Sequence, residues 1–330
     1  MAVNLQAPKK LLPVPGVRVG ASIAGIKQSE RADLALFEFA EGCQVGGVYT
    51  QSHFAAAPVL LARQRQHRAR SWIVNSGNAN AATGAPGSRD AADLCNHAAR
   101  LLQVSGEQVQ PYSTGVIGER LPVEKMQAGL DSAYASLSED GWMDAAVAIM
   151  TTDTVPKGES RQLAIGGKTI TITGIAKGSG MIKPNMATML SFMACDASVA
   201  DGVAQMLVED AVERSFNRVT VDGDTSTNDA VTLVATGQAP MAPLEDREDP
   251  RVGAFAARLL LLCRHLAQSI VRDGEGATKF VTVAVAEARS EGEALQAAYT
   301  ISHSPLVKTA LFAGDPNWGR IVAAAGRAGV

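Results

Sequence analysis

In the segment GIAKGSGMIKPNMATMLSFMACDAS, residues 174–198, a threonine follows a permissive run and opens an apolar one. Lys177 sits among glycines, Pro184 stiffens the chain, and Thr188 comes directly after the small Ala187. Scission of the Ala187–Thr188 bond would give Thr188 a free α-amine beside its own hydroxyl. Such an amine has an ordinary pKa of about 7.7–8.0, against about 10.4 for lysine, so roughly one in ten is neutral at pH 7 and able to take the hydroxyl proton. This is one way of turning threonine into a nucleophile. Self-cleavage also requires Thr188 Oγ to reach the Ala187 carbonyl carbon, which needs a bent backbone. Gly174, Gly178 and Gly180 allow unusual turns, Pro184 restricts Asn185, and Ala187 leaves room for attack. On spacing alone, an ordinary buried strand beginning with threonine is the simpler reading.

Other segments carry polar groups beside apolar runs. They are VNSGNANAATG (74–84), STGVIGE (113–119), MTTDT (150–154), VDGDTSTND (221–229) and RDGEGATK (272–279). Loops of this composition expose backbone N–H groups and hydroxyls, and so many in one chain suggest a shared polar site. Familiar motifs fail. The glycines around Lys177 lack the GK[ST] ending of a phosphate loop. GASIAG (20–25) misses the GxSxG nucleophile elbow by one residue. The five histidines are scattered, with His67 in the basic run RQRQHRAR, and no local sequence supports a Ser-His-Asp triad. The four cysteines, Cys43, Cys95, Cys195 and Cys263, show no zinc spacing and read as small buried hydrophobes in a reducing compartment.

The elements that must position these groups follow from periodicity. DLALFEF (33–39), GGVYT (46–50) and SWIVNS (71–76) read as strands, and RQLAIGGKTITITGI (161–175) as a hairpin turning at Gly166-Gly167. TMLSFMACDA (188–197) is apolar on both faces, hence a central strand, and TKFVTVAVAEA (278–288) alternates as a strand does. Helices are expected over 89–103 with Ser88 as N-cap, 122–137 with Pro122 at its first position, 141–150, 200–215, 250–271 opened by Asp249-Pro250, 291–299 and 317–327. MAPLEDREDP (241–250) is the best linker. Mixed helices and strands predict a layered α/β protein.

A chain of 330 residues, 46% hydrophobic, has length for about two domains and can bury a large core. The net charge of −3 gives no basic face for nucleic acid. The longest apolar run, LLLLC (259–263), is fenced by Arg258 and Arg264 and falls short of the roughly 20 residues that span a bilayer, and the N-terminus lacks a signal-peptide core. A soluble protein is expected.

The wording KGSGMIKPNMATML resembles the glutamate N-acetyltransferase (ornithine acetyltransferase) family of arginine biosynthesis. AGIK (24–27), DLALFEF, GGVYTQSHFAAAPV, VNSGNANAATG, STGVIGERLP, MTTDT, RVTVDGDTSTNDAV, VRDGEGATKF and DPNWGRI agree, in family order. The resemblance implies a precursor that cleaves itself at Ala187–Thr188. An α chain (1–187) would form the main α/β sandwich, 188–240 would complete it, and 250–330 would form a smaller α/β domain. The implied fold is a layered α/β sandwich shared with self-processing aminopeptidases, and the implied assembly is a cytoplasmic α2β2 heterotetramer. The implied reaction moves acetyl from N2-acetylornithine to glutamate through acetyl-Thr188, without cofactor or metal. Some members also use acetyl-CoA as donor. By the same resemblance Thr114 and Gly115 form the oxyanion hole, and Thr151, Lys177, Thr188 and Glu275 hold substrate. Lys177 suits a carboxylate as a point charge.

The family's β chain normally continues for several dozen residues beyond DPNWGRI, so the smaller domain is expected to be incomplete at Val330. Two other readings stand beside the acetyltransferase. One is a self-processed aminopeptidase or amidase on the same scaffold, with water as acceptor. The other is an inactive truncated remnant.

Overall fold

The computed structural model describes residues 2–183 and 189–330. Pro184, Asn185, Ala187 and Thr188 lie outside the described residues, and with them the expected cleavage site. The first half runs β1 (Val17–Ser22), β2 (Leu34–Phe39), β3 (Gln44–Tyr49), α1 (Ala57–Arg65), β4 (Ser71–Asn78), α2 (Gly84–Leu102), β5 (Val109–Val116), α3 (Val123–Ala135) and α4 (Trp142–Ala148). It continues through β6 (Lys157–Ile165), β7 (Lys168–Lys177), β8 (Leu190–Cys195), α5 (Val203–Glu213), β9 (Ala230–Ala235), α6 (Pro250–Arg272), α7 (Glu291–Ser302), α8 (Pro305–Ala313) and α9 (Trp318–Gly326).

Among the described residues the strands form two sheets, ordered β1-β2-β4-β5 and β3-β9-β8-β7-β6. Alternation along each strand sends one set of side chains inward and the next outward. Inward-facing Phe37, Phe39, Trp72, Tyr112, Ile175, Phe192 and Val234 fill the space between the sheets. Phe192 bridges them, 5.7 Å from Phe37 and 5.0 Å from Tyr112 between ring centroids. Outward-facing Leu34, Leu36 and Ile73 pack on Leu94 and Ala98 of α2 and on Met126 and Leu130 of α3. Outward-facing Ile172, Met193 and Leu233 pack on Leu207 and Val208 of α5 and on Leu259, Leu262 and Leu266 of α6. The result is helix, sheet, sheet, helix: the layered α/β sandwich expected. Phe192 is fully buried at its centre, so Phe192→Ala is expected to cost roughly 3–5 kcal/mol of stability. Urea unfolding of the two proteins measures this.

β8 is the middle strand of its sheet, as its two apolar faces require. The hairpin turns at Gly166 and Gly167, whose φ of +56° and +74° glycine adopts without strain. α6 has enough length and apolar composition to cross a bilayer, but half of its apolar stretch is buried inside the protein. Asp249 caps α6 by accepting the Arg251 N–H at 2.9 Å.

Three expectations need correction. α2 begins at Gly84 after Thr83, so Ser88 lies inside the helix and is not its cap. Pro86 is tolerated there because first-turn N–H groups have no partner within the helix. Pro122 precedes α3 as its N-cap and is not the first helical residue. The segment 278–288 forms no strand and joins no sheet among the described residues. Alternation of Val281, Val283 and Val285 is necessary for a strand, but a ladder partner is also needed. Here Val281 is largely exposed and Phe280 lies 4.0 Å under the Arg272 guanidinium. α6 belongs to the main core, whereas α7, α8 and α9 share a separate cluster of Ile301, Val307 and Ala324.

Candidate active site

β4 and β5 run parallel, and their ends approach closely where Gly77 faces Gly115. A Cβ on Gly115 would lie 2.2 Å from the Gly77 carbonyl carbon and 2.5 Å from the Asn78 nitrogen, and Gly115 has a φ of +134°. Only glycine fits. This approach brings Thr114 and Gly115 to the rim of a cavity. The loop before β9 is tied to the same strand ends, because Asn228 Nδ2 donates to Ala79 O (2.6 Å) and Ser113 O (2.9 Å).

The cavity has a volume of about 520 Å³. Thr114, Gly115, Thr151, Lys177 and Glu275 all line it, although they come from four widely separated stretches of chain. So do Met189 and Leu190, the residues that follow Thr188. Leu190 faces Lys177 across the β7–β8 ladder, and Met189 O accepts the Ala230 N–H at 3.0 Å. The structure thus brings together every expected site residue that it describes. A larger cavity of about 750 Å³ lies between α6, residues 275–283, α7 and α8, and Glu275 borders both.

Lys177 is buried at the end of β7, and its ammonium donates to Thr114 Oγ1 at 3.1 Å. With that lone pair engaged, the Thr114 hydroxyl proton is left to point elsewhere, which suits a donor to a developing oxyanion. Burial pulls the Lys177 pKa below the ordinary lysine value, while Asp153, Asp229 and Glu275 pull it back up and Lys157 pushes it further down. Burial likewise raises the Asp153 pKa, but Lys177 and Lys157 outweigh it and hold the carboxyl at about 2. Glu275 is exposed to the cavity and lies against Gly180, where a Cβ would sit 2.7 Å from its carboxyl carbon.

Sequence reasoning missed Lys27. Its half-buried ammonium lines the cavity, donates to Met150 O (2.8 Å) and Ala32 O (3.3 Å), and has a pKa lowered by burial. The AGIK segment was the available signal, but spacing alone does not say that it folds beside Thr151. Cys95, Cys195 and Cys263 are buried as expected, and burial pushes the thiols of Cys95 and Cys195 up to about 12. Cys43 is only half-buried.

Residues 18–330 match the model of the ArgJ family. The chain belongs to the ArgJ family. It is 54% identical over 331 residues to the arginine biosynthesis bifunctional protein ArgJ of Pseudomonas syringae pv. tomato, covering 100% of this chain and 82% of that protein. The ArgJ of Pseudomonas fluorescens is 52% identical over the same coverage. Among solved structures, the ornithine acetyltransferase of Mycobacterium tuberculosis complexed with ornithine is 33% identical. That match covers 54% of this chain and 93% of the other, with a TM-score of 0.46.

Proposed function

We propose that this ArgJ-family chain transfers acetyl from N2-acetyl-L-ornithine to L-glutamate, after cleaving itself at Ala187–Thr188. The observation that carries the reading is the convergence of Thr114, Gly115, Thr151, Lys177 and Glu275 on one cavity walled by the residues that follow Thr188. Thr188 Oγ attacks the acetyl carbonyl and its own α-amine takes the hydroxyl proton. The Thr114 hydroxyl and Gly115 N–H receive the negative charge on the tetrahedral oxygen. The intermediate collapses to acetyl-Thr188, and the departing ornithine amine takes the proton back. The glutamate amine then attacks the ester, giving N-acetylglutamate and restoring Thr188. Lys177 holds the α-carboxylate common to both amino acids, and Thr151 and Glu275 orient the remainder.

Cleavage need not separate the products. β8 and β9 follow Thr188 in sequence yet lie between β3 and β7, which precede it. Pulling the two chains apart would break both flanking ladders and the inter-sheet core. We extend the reading to an α2β2 assembly in the cytoplasm and to acetyl-CoA as a second acetyl donor. Product analysis tests the function. Ornithine release that depends on glutamate, with N-acetylglutamate formed in equal amount, is expected. Free acetate in place of N-acetylglutamate would mean that water is the acceptor and the chain is a hydrolase.

A further inference from the structure

Thr151, Lys177 and Glu275 lie far apart in sequence, yet one buried cluster reaches the backbone beside all three. The Lys157 side chain has no exposed surface, and its ammonium donates to Asp153 Oδ1 (2.6 Å), Asp273 Oδ2 (2.7 Å) and Val155 O (3.3 Å). Asp153 Oδ2 accepts the N–H of Thr151 at 2.9 Å, and Oδ1 accepts the N–H of Gly178, next to Lys177, at 2.7 Å. Asp273 Oδ2 accepts the Thr154 N–H at 2.9 Å. The Asp273 carbonyl accepts Ser179 Oγ at 2.6 Å, and Ser179 O accepts the Glu275 N–H at 2.9 Å. Two carboxylates against one ammonium leave an excess negative charge beside buried Lys177.

We propose that Asp153, Lys157 and Asp273 form a positioning triad, which holds Thr151, Lys177 and Glu275 in one geometry and supplies the counter-charge of Lys177. The consequence for catalysis rests on Lys177 being the partner of the substrate carboxylate. An ammonium is charged below its pKa, and a neighbouring carboxylate extends that range upward. Removing the Asp153 charge therefore makes Lys177 lose its proton at lower pH, and removing the Lys157 charge does the reverse. The other charges facing Lys177 are Asp229, Glu275 and Lys27.

The test is carried out on the full chain and its Asp153→Asn and Lys157→Met variants. An amine-acylating reagent is applied across a pH series, and labelling of the Lys177 peptide is quantified by mass spectrometry, with exposed Lys125 as reference. kcat/KM for N2-acetylornithine is followed over the same range. Asp153→Asn is expected to lower the Lys177 labelling midpoint by roughly 1 pH unit or more and to move the alkaline limb of kcat/KM with it. Lys157→Met is expected to raise both, and Lys125 to stay fixed. Midpoints that do not move in folded variants would overturn the proposal. Failure of both variants to fold would overturn it too, by assigning the cluster to stability alone. A shifted midpoint with an unmoved kinetic limb supports the triad and counts against Lys177 as the carboxylate partner, so the two failures are distinguishable.

Discussion

Thr188→Ala is expected to leave a single uncleaved chain and to abolish ornithine release. Alanine has no hydroxyl to attack the preceding carbonyl, so the first event fails. No acetyl ester can then form, so the second fails as well. Removal of a nucleophile commonly costs on the order of 10⁴-fold or more in kcat, which leaves turnover at background. The effect should be confined to chemistry. The sheet order and the cores described above do not depend on the Thr188 hydroxyl, so the variant should melt as a folded protein. Gel electrophoresis, a thermal melt and an ornithine assay on the same preparation separate these outcomes. Fragments of normal size, or ornithine at the wild-type rate, would remove Thr188 from the mechanism.

Gly115→Ala is expected to have the next largest effect. The added methyl would lie 2.2 Å from the Gly77 carbonyl carbon, which is backbone and cannot rotate away. The ends of β4 and β5 must therefore separate, and alanine at a φ of +134° adds strain of order 1–3 kcal/mol. The N–H proposed to stabilise the oxyanion moves with the strand. Loss of one such donor costs about 2.7–4 kcal/mol of barrier, or roughly 10²–10³ in kcat. Because Lys177, Thr151 and Glu275 sit on other segments, KM should change far less than kcat. Steady-state kinetics on the folded variant decides: a loss borne mainly by KM would mean that Gly115 contacts the ground state instead.

Legibility of the fold in the sequence followed the strength of local patterns. The Gly166-Gly167 turn, the doubly apolar β8 and the Asp249 cap of α6 were all readable, because each depends on a few neighbouring residues. The start of α2 was not, since Gly84, Ala85 and Pro86 look like loop residues. Residues 278–288 carry a strand pattern but no partner, and pairing is a tertiary matter that alternation cannot supply. The site divided in the same way. Thr114, Gly115, Thr151, Lys177 and Glu275 became candidates through resemblance, and folding places them together. Lys157 looks like an ordinary charged residue in VPKGE. Its burial between Asp153 and Asp273, one of them more than a hundred residues away in sequence, leaves no local trace.

The central claim is that Thr188 becomes the first residue of a new chain and there carries the acetyl group. It is tested most directly by the intact mass of the purified protein after mixing with N2-acetylornithine in the absence of glutamate. A fragment of residues 188–330 heavier by one acetyl group is expected, returning to its starting mass when glutamate is added. A single uncleaved mass, or a 188–330 fragment that never gains the acetyl, would contradict it.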